Sequence, residues 1–216
     1  MALLLIDLDG TLVDPAPGIV GCCRHALEAM GRAAPAHADL LWTIGPPLRQ
    51  SFARLLGEDG DVEEAVRLYR QRYSETGLYE AEVYAGIPAA LAQLRDAGHR
   101  LFVCTAKATM FARRVVDHFG LGAAFDAVHG AELDGRFDDK ADLIADILTR
   151  DAATGEGACM VGDRSHDVVA AARHGIATIG ALWGYGAAAE LREAGAFSLC
   201  PEPSDLPAQV AAALAA

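Results

Sequence analysis

The chain opens on an unbroken apolar run, Met1 to Ile6, too uniformly hydrophobic to alternate between a wet and a dry face. Such a run predicts a central parallel strand covered on both sides. It delivers two aspartates, Asp7 and Asp9, into a Gly10-Thr11 turn. Between about Gly18 and Gly77 the pattern changes. GIVGCCRHALEAMG, PPLRQSFARLLG and DVEEAVRLYRQRYSETG place apolar residues three or four apart and are punctuated by glycine, which predicts helices and no strand. From Pro88 onward helical and strand patterns alternate: PAALAQLRDAG then HRLFVCT, ATMFARRVVDHFG then FDAVHG, KADLIADILTR then ACMVGD, SHDVVAAARHG then ATIGAL. That alternation predicts right-handed βαβ crossovers and a parallel sheet.

The first strand has the burial signature of that sheet, yet a helical block separates it from the other strands. The expected architecture is therefore α/β, a Rossmann-like parallel-sheet core of residues 1–14 and 86–216 with an all-helical insertion of residues 15–85 after the first strand. Linkers near Pro15 to Pro17 and Tyr84 to Pro88 would form a hinge. A single compact domain with the helices packed on the sheet is the alternative. The Ala-rich tail from Pro207 is expected to fray.

Composition narrows the partners. With 216 residues, 52% of them hydrophobic, the chain can bury a real core. A net charge of −12 argues against a nucleic acid polymer and against an anionic membrane surface. The opening apolar run has no basic flank and is too short for a signal or membrane helix. Five cysteines form no CxxC pair and read as reduced thiols, so the expected location is cytoplasmic. Monomer and homodimer both stay open.

Ligands of open α/β sheets bind beyond the carboxyl ends of the strands. Asp7 and Asp9 follow the first strand, Thr105 ends HRLFVCT, Asp163 ends ACMVGD with Asp167 in the next turn, and Lys140 begins a helix. Each has an ordinary use. Asp-Gly makes turns, Thr and Asp cap helices, and lysines are mostly solvated. The joint pattern is more specific: polar residues at four strand-linked positions in one order, expected in one cleft. Four carboxylates and one lysine cannot sit together unpaired, which points to a hard divalent cation, Mg²⁺. An anionic substrate would be drawn to that cation, Lys140, Thr105 and free backbone N–H groups around Gly10 and Thr11.

DLDGTLVD, the strand ending at Thr105, Lys140, and GDRSHD with Asp163 and Asp167 together resemble the four motifs of the haloacid dehalogenase superfamily of phosphohydrolases. The resemblance spans nearly the whole chain, and the helical insertion is similar to that superfamily's mobile cap. TIGPPLRQSF and LWGYG look most like the phosphoglycolate-phosphatase-like branch. The resemblance implies Asp7 as a nucleophile forming an aspartyl-phosphate and Asp9 as general acid and then base. It implies Thr105 and Lys140 on the phosphoryl oxygens. Asp7, Asp163 and the Asp9 main-chain carbonyl would hold Mg²⁺, with Asp167 orienting Lys140 or a metal-bound water. Asp at position 9 disfavours dehalogenation, which has no alkoxide to protonate.

The family often carries Asn or Ser where this chain has Ala106, so a contact to substrate is missing there. Lys107 faces either the phosphate, the cap or solvent. In the insertion, Arg49 follows Pro46 and Pro47 and is suited to grip a carboxylate or phosphate bidentately, although a solvated helix-start arginine reads equally well. His118, His129, His166 and His174 have no metal-ligand spacing and read as loop and helix-end residues. The expected function is a Mg²⁺-dependent phosphatase for a small phosphorylated metabolite, with phosphoglycolate leading. A sugar-phosphate mutase, a nucleotidase or pyrophosphatase, and a non-catalytic binding protein are the alternatives.

Overall fold

The computed structural model describes residues 1–150 and 157–215. The chain divides into two compact units, Met1–Asp14 with Val83–Ala216, and Pro15–Glu82. Among the described residues no helix is long and apolar enough to cross a membrane. All five cysteines are free and buried.

The larger unit is built on a six-stranded sheet: β1 Leu3–Ile6, β2 Arg100–Ala108, β3 Ala127–Ala131, β4 Ala158–Gly162, β5 Ala177–Ala181 and β6 Ser198–Cys200, in the order β3-β2-β1-β4-β5-β6. Every neighbouring pair is parallel. β1 lies in the middle, with Leu4 between Leu101 and Cys159 and Ile6 between Val103 and Val161. That position explains its unbroken apolar run, since all four of its residues are buried. The chain runs outward from β1 on one side and then returns to build the other, so the order reverses between β1 and β4, where such sheets open a crevice.

Helices bury one stripe each against this sheet. The helix Lys140–Arg150 turns Ala141, Leu143, Ile144 and Ile147 into a cluster with Leu3, Leu5, Phe102, Cys104, Met160 and Ala171. A fully buried Leu or Ile contributes about 1.5–3 kcal/mol, so this stripe anchors the first residue of the helix, Lys140, firmly.

The smaller unit contains helices Ala16–Ala29, Leu48–Leu56 and Val62–Glu75 with 3₁₀ segments His37–Thr43 and Gly77–Tyr79. Asp61 caps the third helix by accepting the Glu64 N–H at 3.0 Å, with Glu63 and Glu64 in the favourable first turn. Phe52 and Tyr69 meet edge-to-face at 6.0 Å, and Tyr69 stacks on Tyr73 at 5.3 Å. A Cβ on Gly18 would lie 2.0 Å from the Gly77 carbonyl, so the first helix closes tightly on the end of the unit.

Several elements differ from the sequence pattern. β2 continues past Thr105 to Ala108, with a register shift against β3 between those residues. His129 is inside β3 rather than in a loop or at a helix end, because its segment extends the sheet. β6, three residues long, and the helix Ala188–Glu193, six residues long, are too short to show a period. The tail expected to fray forms the helix Leu206–Ala213, because Leu206 and Val210, four residues apart, are both buried.

Candidate active site

Asp7 extends β1 by one rung: its N–H donates to the Val161 carbonyl at 2.9 Å. The chain then turns sharply. The Leu8 carbonyl accepts the N–H groups of Thr11, Leu12 and Val13, and the Gly10 N–H donates to the Val13 carbonyl at 2.8 Å. Gly10 has φ +84°, and a Cβ there would lie 2.3 Å from Asp163 Oδ2, so this position requires glycine for both conformation and space. The sequence predicts free N–H donors at Gly10 and Thr11, and the structure differs. The Gly10 and Thr11 N–H groups close the turn and are not free donors for an anion. Thr11 instead donates its hydroxyl to Asp163 Oδ1 at 3.2 Å.

Lys140 Nζ stands 3.0 Å from Asp7 Oδ1 and also contacts Asp167 Oδ1. All three side chains are almost wholly enclosed. Asp167 is itself fixed, since its other oxygen accepts the Arg164 N–H at 3.0 Å where the helix Ser165–Ala172 begins. Gly162 leaves the space that Asp167 occupies, because a Cβ on Gly162 would meet the Asp167 carboxyl at 2.3 Å.

Asp9 is held separately. Its Oδ1 lies 2.6 Å from Lys107 Nζ, in a part-buried contact with side-chain exposures of 10% and 7%. Thr105, which is buried, accepts the Lys107 N–H on its hydroxyl oxygen at 3.2 Å, which leaves the Thr105 proton to be donated elsewhere. Gly130 accommodates the irregular end of β2, since a Cβ there would sit 2.2 Å from the Lys107 carbonyl. Ala106 offers no polar side-chain atom at this edge.

These environments shift the protonation equilibria. Burial raises the Asp7 carboxyl, with Lys140 opposing and Asp167 reinforcing. Burial is likewise the main reason that Asp9 is raised, and Lys107 opposes it more than neighbouring Asp7 adds. Asp163 is pushed up to about 8 by burial and then by Asp167 and Asp7. For Lys140, burial acts to discharge the amine, but Asp167 and Asp7 outweigh it and hold it protonated above its ordinary range.

Asp7, Asp163 and Asp167 each present a carboxylate oxygen, all within 4.8 Å of one another, and all three residues are buried. Lys140 alone is short of the charge needed to neutralise three carboxylates. Hard oxygen donors with a deficit of positive charge fit a divalent cation of the Mg²⁺ or Ca²⁺ type.

The chain matches the haloacid dehalogenase-like hydrolase family model over residues 4–181. The chain belongs to that family. A relative from Pseudomonas aeruginosa, named 5'-nucleotidase, is 43% identical over 190 residues, covering 88% of this chain and 86% of its own. The tyrosine-protein kinase PtkA of Mycobacterium tuberculosis is 44% identical over 186 residues, 86% of this chain but only 64% of that relative's length. A solved structure described as a predicted phosphatase from Clostridium acetobutylicum superposes with a TM-score of 0.94 at 33% identity, covering 98% of each chain.

The structure thus brings together Asp7, Asp9, Thr105, Lys107, Lys140, Asp163 and Asp167 within the larger unit of this family member. Arg49 lies in the smaller unit, where its Nε and Nη2 grip Glu63 at 2.7 and 3.1 Å. Sequence reasoning missed the segment Trp183–Gly186 as part of the site. Trp183 Nε1 donates to the Thr11 carbonyl at 2.9 Å, and the Tyr185 N–H donates to Asp163 Oδ2 at 2.7 Å. Cβ atoms on Gly184 and Gly186 would lie 2.4 Å from the Asp163 Cβ and 1.9 Å from its carbonyl. Two glycines flanking a tyrosine after a strand are the available signal, since paired glycines there mark close backbone approach.

Proposed function

We propose that this protein is a Mg²⁺-dependent phosphatase that hydrolyses small phosphomonoesters through a phosphoryl group carried on Asp7. The observation that carries the reading is the Asp7 carboxylate at the end of the central strand, 3.0 Å from the Lys140 ammonium and facing Asp163 and Asp167. A carboxylate nucleophile needs a fixed position, neutralised charge and a nearby proton donor. Lys140 supplies the second and Asp9, two residues along the same turn, the third.

Asp7, Asp163 and the Asp9 main-chain carbonyl would hold Mg²⁺, which when bound neutralises and orients phosphoryl oxygens. An Asp7 oxygen attacks phosphorus, and the bond from phosphorus to the ester oxygen breaks. Asp9, whose carboxyl is raised chiefly by burial, gives its proton to that departing oxygen. The Asp9 carboxylate then takes a proton from water as the water oxygen attacks phosphorus. The bond from phosphorus to Asp7 breaks, inorganic phosphate leaves, and both aspartates return to their starting states. The Thr105 hydroxyl and Lys140 hold phosphoryl oxygens, and Asp167 keeps the ammonium of Lys140 in place. General acid–base assistance of this kind is worth roughly 10²–10⁴-fold.

The inserted helical unit is read as the family's cap. Arg49 is its candidate substrate-selecting residue, and Lys107 a candidate for the phosphate once it exchanges partners. Because Glu63 is exposed, the pair is screened by water and Arg49 can trade it for a substrate anion at little cost. The resemblance to a relative named 5'-nucleotidase supports nucleoside 5'-monophosphates as the first substrates to try, with phosphoglycolate next. A soluble cytoplasmic monomer or homodimer acting on a phosphorylated metabolite is the matching setting. The test is phosphate release with and without Mg²⁺ from nucleoside monophosphates, phosphoglycolate, hexose phosphates and pyrophosphate. Mg²⁺-dependent turnover of one class supports the reading, and silence on all of them counts against it.

A further inference from the structure

Tyr185 makes two kinds of contact at once. Its backbone N–H donates to Asp163 Oδ2 at 2.7 Å. Its phenol donates to Asp14 Oδ1 and is hydrogen-bonded to the phenol of Tyr84. Those two partners occupy a special place in the chain. Asp14 is the last residue of the larger unit before the chain departs, and Tyr84 is the second after it returns at Val83. The Tyr84 N–H is also tied to the Leu12 carbonyl at 3.2 Å. One residue therefore links both linkers of the inserted unit to a carboxylate of the acidic cluster.

The segment that carries Tyr185 is stiff. On one side Trp183 is bonded to the Thr11 carbonyl, and Gly184 and Gly186 press their backbones against Asp163. A displacement of Asp14 or Tyr84 would thus be felt at the Tyr185 amide rather than absorbed by a loose loop.

We propose that Tyr185 is a positioning residue that couples the two linkers of the inserted unit to the loop holding Asp163. The proposal rests on the reading of Asp163 as a Mg²⁺ ligand. A cation that fixes Asp163 then also quietens both linkers, and loss of the phenol contacts separates the two events.

Y185F keeps the ring and the backbone N–H but removes the phenol bonds. Amide hydrogen exchange is followed in peptides covering residues 12–18 and 81–87, with and without Mg²⁺. In the wild type, Mg²⁺ is expected to slow exchange in both. In Y185F, exchange there is expected to rise on the order of tenfold, the consequence of losing a charge-assisted hydrogen bond, and to stop responding to Mg²⁺. Exchange in the helix 140–150 should be unchanged, which separates uncoupling from general destabilisation. Y84F, which leaves the Tyr185–Asp14 bond, should speed exchange in the returning linker alone. For phosphate release, Y185F should lower kcat/KM while the Mg²⁺ concentration for half-maximal activity stays within about twofold of the wild type. Linker exchange in Y185F that matches the wild type, or wild-type linkers that ignore Mg²⁺, overturns the coupling. Intact Mg²⁺-responsive linkers in a protein that releases no phosphate would overturn the proposed activity and leave the coupling standing.

Discussion

Replacing Lys140 with methionine is the most informative single perturbation of the site. The methionine side chain fills a similar volume, so the change removes a charge more than it removes packing. In the native protein the ammonium stands 3.0 Å from Asp7 Oδ1 and touches Asp167, with side-chain exposures of 6%, 5% and 1% for Lys140, Asp7 and Asp167. At an effective dielectric of 20, one such contact amounts to about 5 kcal/mol of attraction before the cost of taking the charges out of water. Deleting one partner of a buried pair leaves an uncompensated charge and typically costs about 3–5 kcal/mol. Asp7 is already raised by burial and can take up a proton, so the loss should fall near the lower end, about 3 kcal/mol. For a chain of this size that lowers Tm by roughly 6–12 °C. The assay is urea unfolding followed by circular dichroism in EDTA, on the wild type, K140M, D167N and the double variant. K140M/D167N should recover part of the K140M loss, because one of the stranded carboxylates is gone. A K140M loss below about 1 kcal/mol, or no recovery in the double variant, would refute the view that Lys140 is the charge holding these carboxylates together.

The remaining predictions concern pH. Asp163 is raised from 3.8 to about 8, so the metal-free fold holds a proton that the unfolded chain releases between those values, and stability in EDTA should fall as pH rises from about 4 to 8. Mg²⁺ should therefore raise Tm more at pH 8 than at pH 5.5, where it must displace that proton; equal gains at both pH values would count against Asp163 as a ligand. At Glu190 burial acts to raise the carboxyl, but the Ser165 N–H, Arg164 and the Ser165 hydroxyl together hold it below its usual 4.5. Its contribution is present above about 4.5 and is lost as pH falls through the lowered native value, so thermal melts of E190Q and the wild type should differ at neutral pH and converge in acid.

Much of this was legible in the sequence because the decisive signals are local. A run buried on both faces can only be a central strand, and Asp7 at its end is carried into the crevice by the backbone itself. Lys140, Asp163 and Asp167 were legible because parallel strands bring their carboxyl ends to one edge. The pairing of Lys107 with Asp9 was not, although residues two apart on a strand share a face and Lys107 is two beyond Thr105. The register shift at Thr105–Ala108 hides that signal, since alternation along one strand cannot report a change of register against its neighbour. The free N–H groups expected at Gly10 and Thr11 failed for a related reason, because the Leu8 and Val13 carbonyls that accept them are met only once the turn is closed. Trp183–Gly186 was read for its likeness to one branch and not for chemistry, because its contribution comes from main-chain approach rather than from titratable groups.

The central claim is that a phosphoryl group passes through Asp7, and it is tested most directly by acid-quenching the protein during turnover of its best phosphomonoester with Mg²⁺ and mapping phosphoryl by peptide mass spectrometry. The account predicts phosphoryl on the peptide containing Asp7 and none in D7N, which should fold as the wild type does and release no phosphate. Undiminished phosphate release by D7N, or phosphoryl found on another residue, would contradict it.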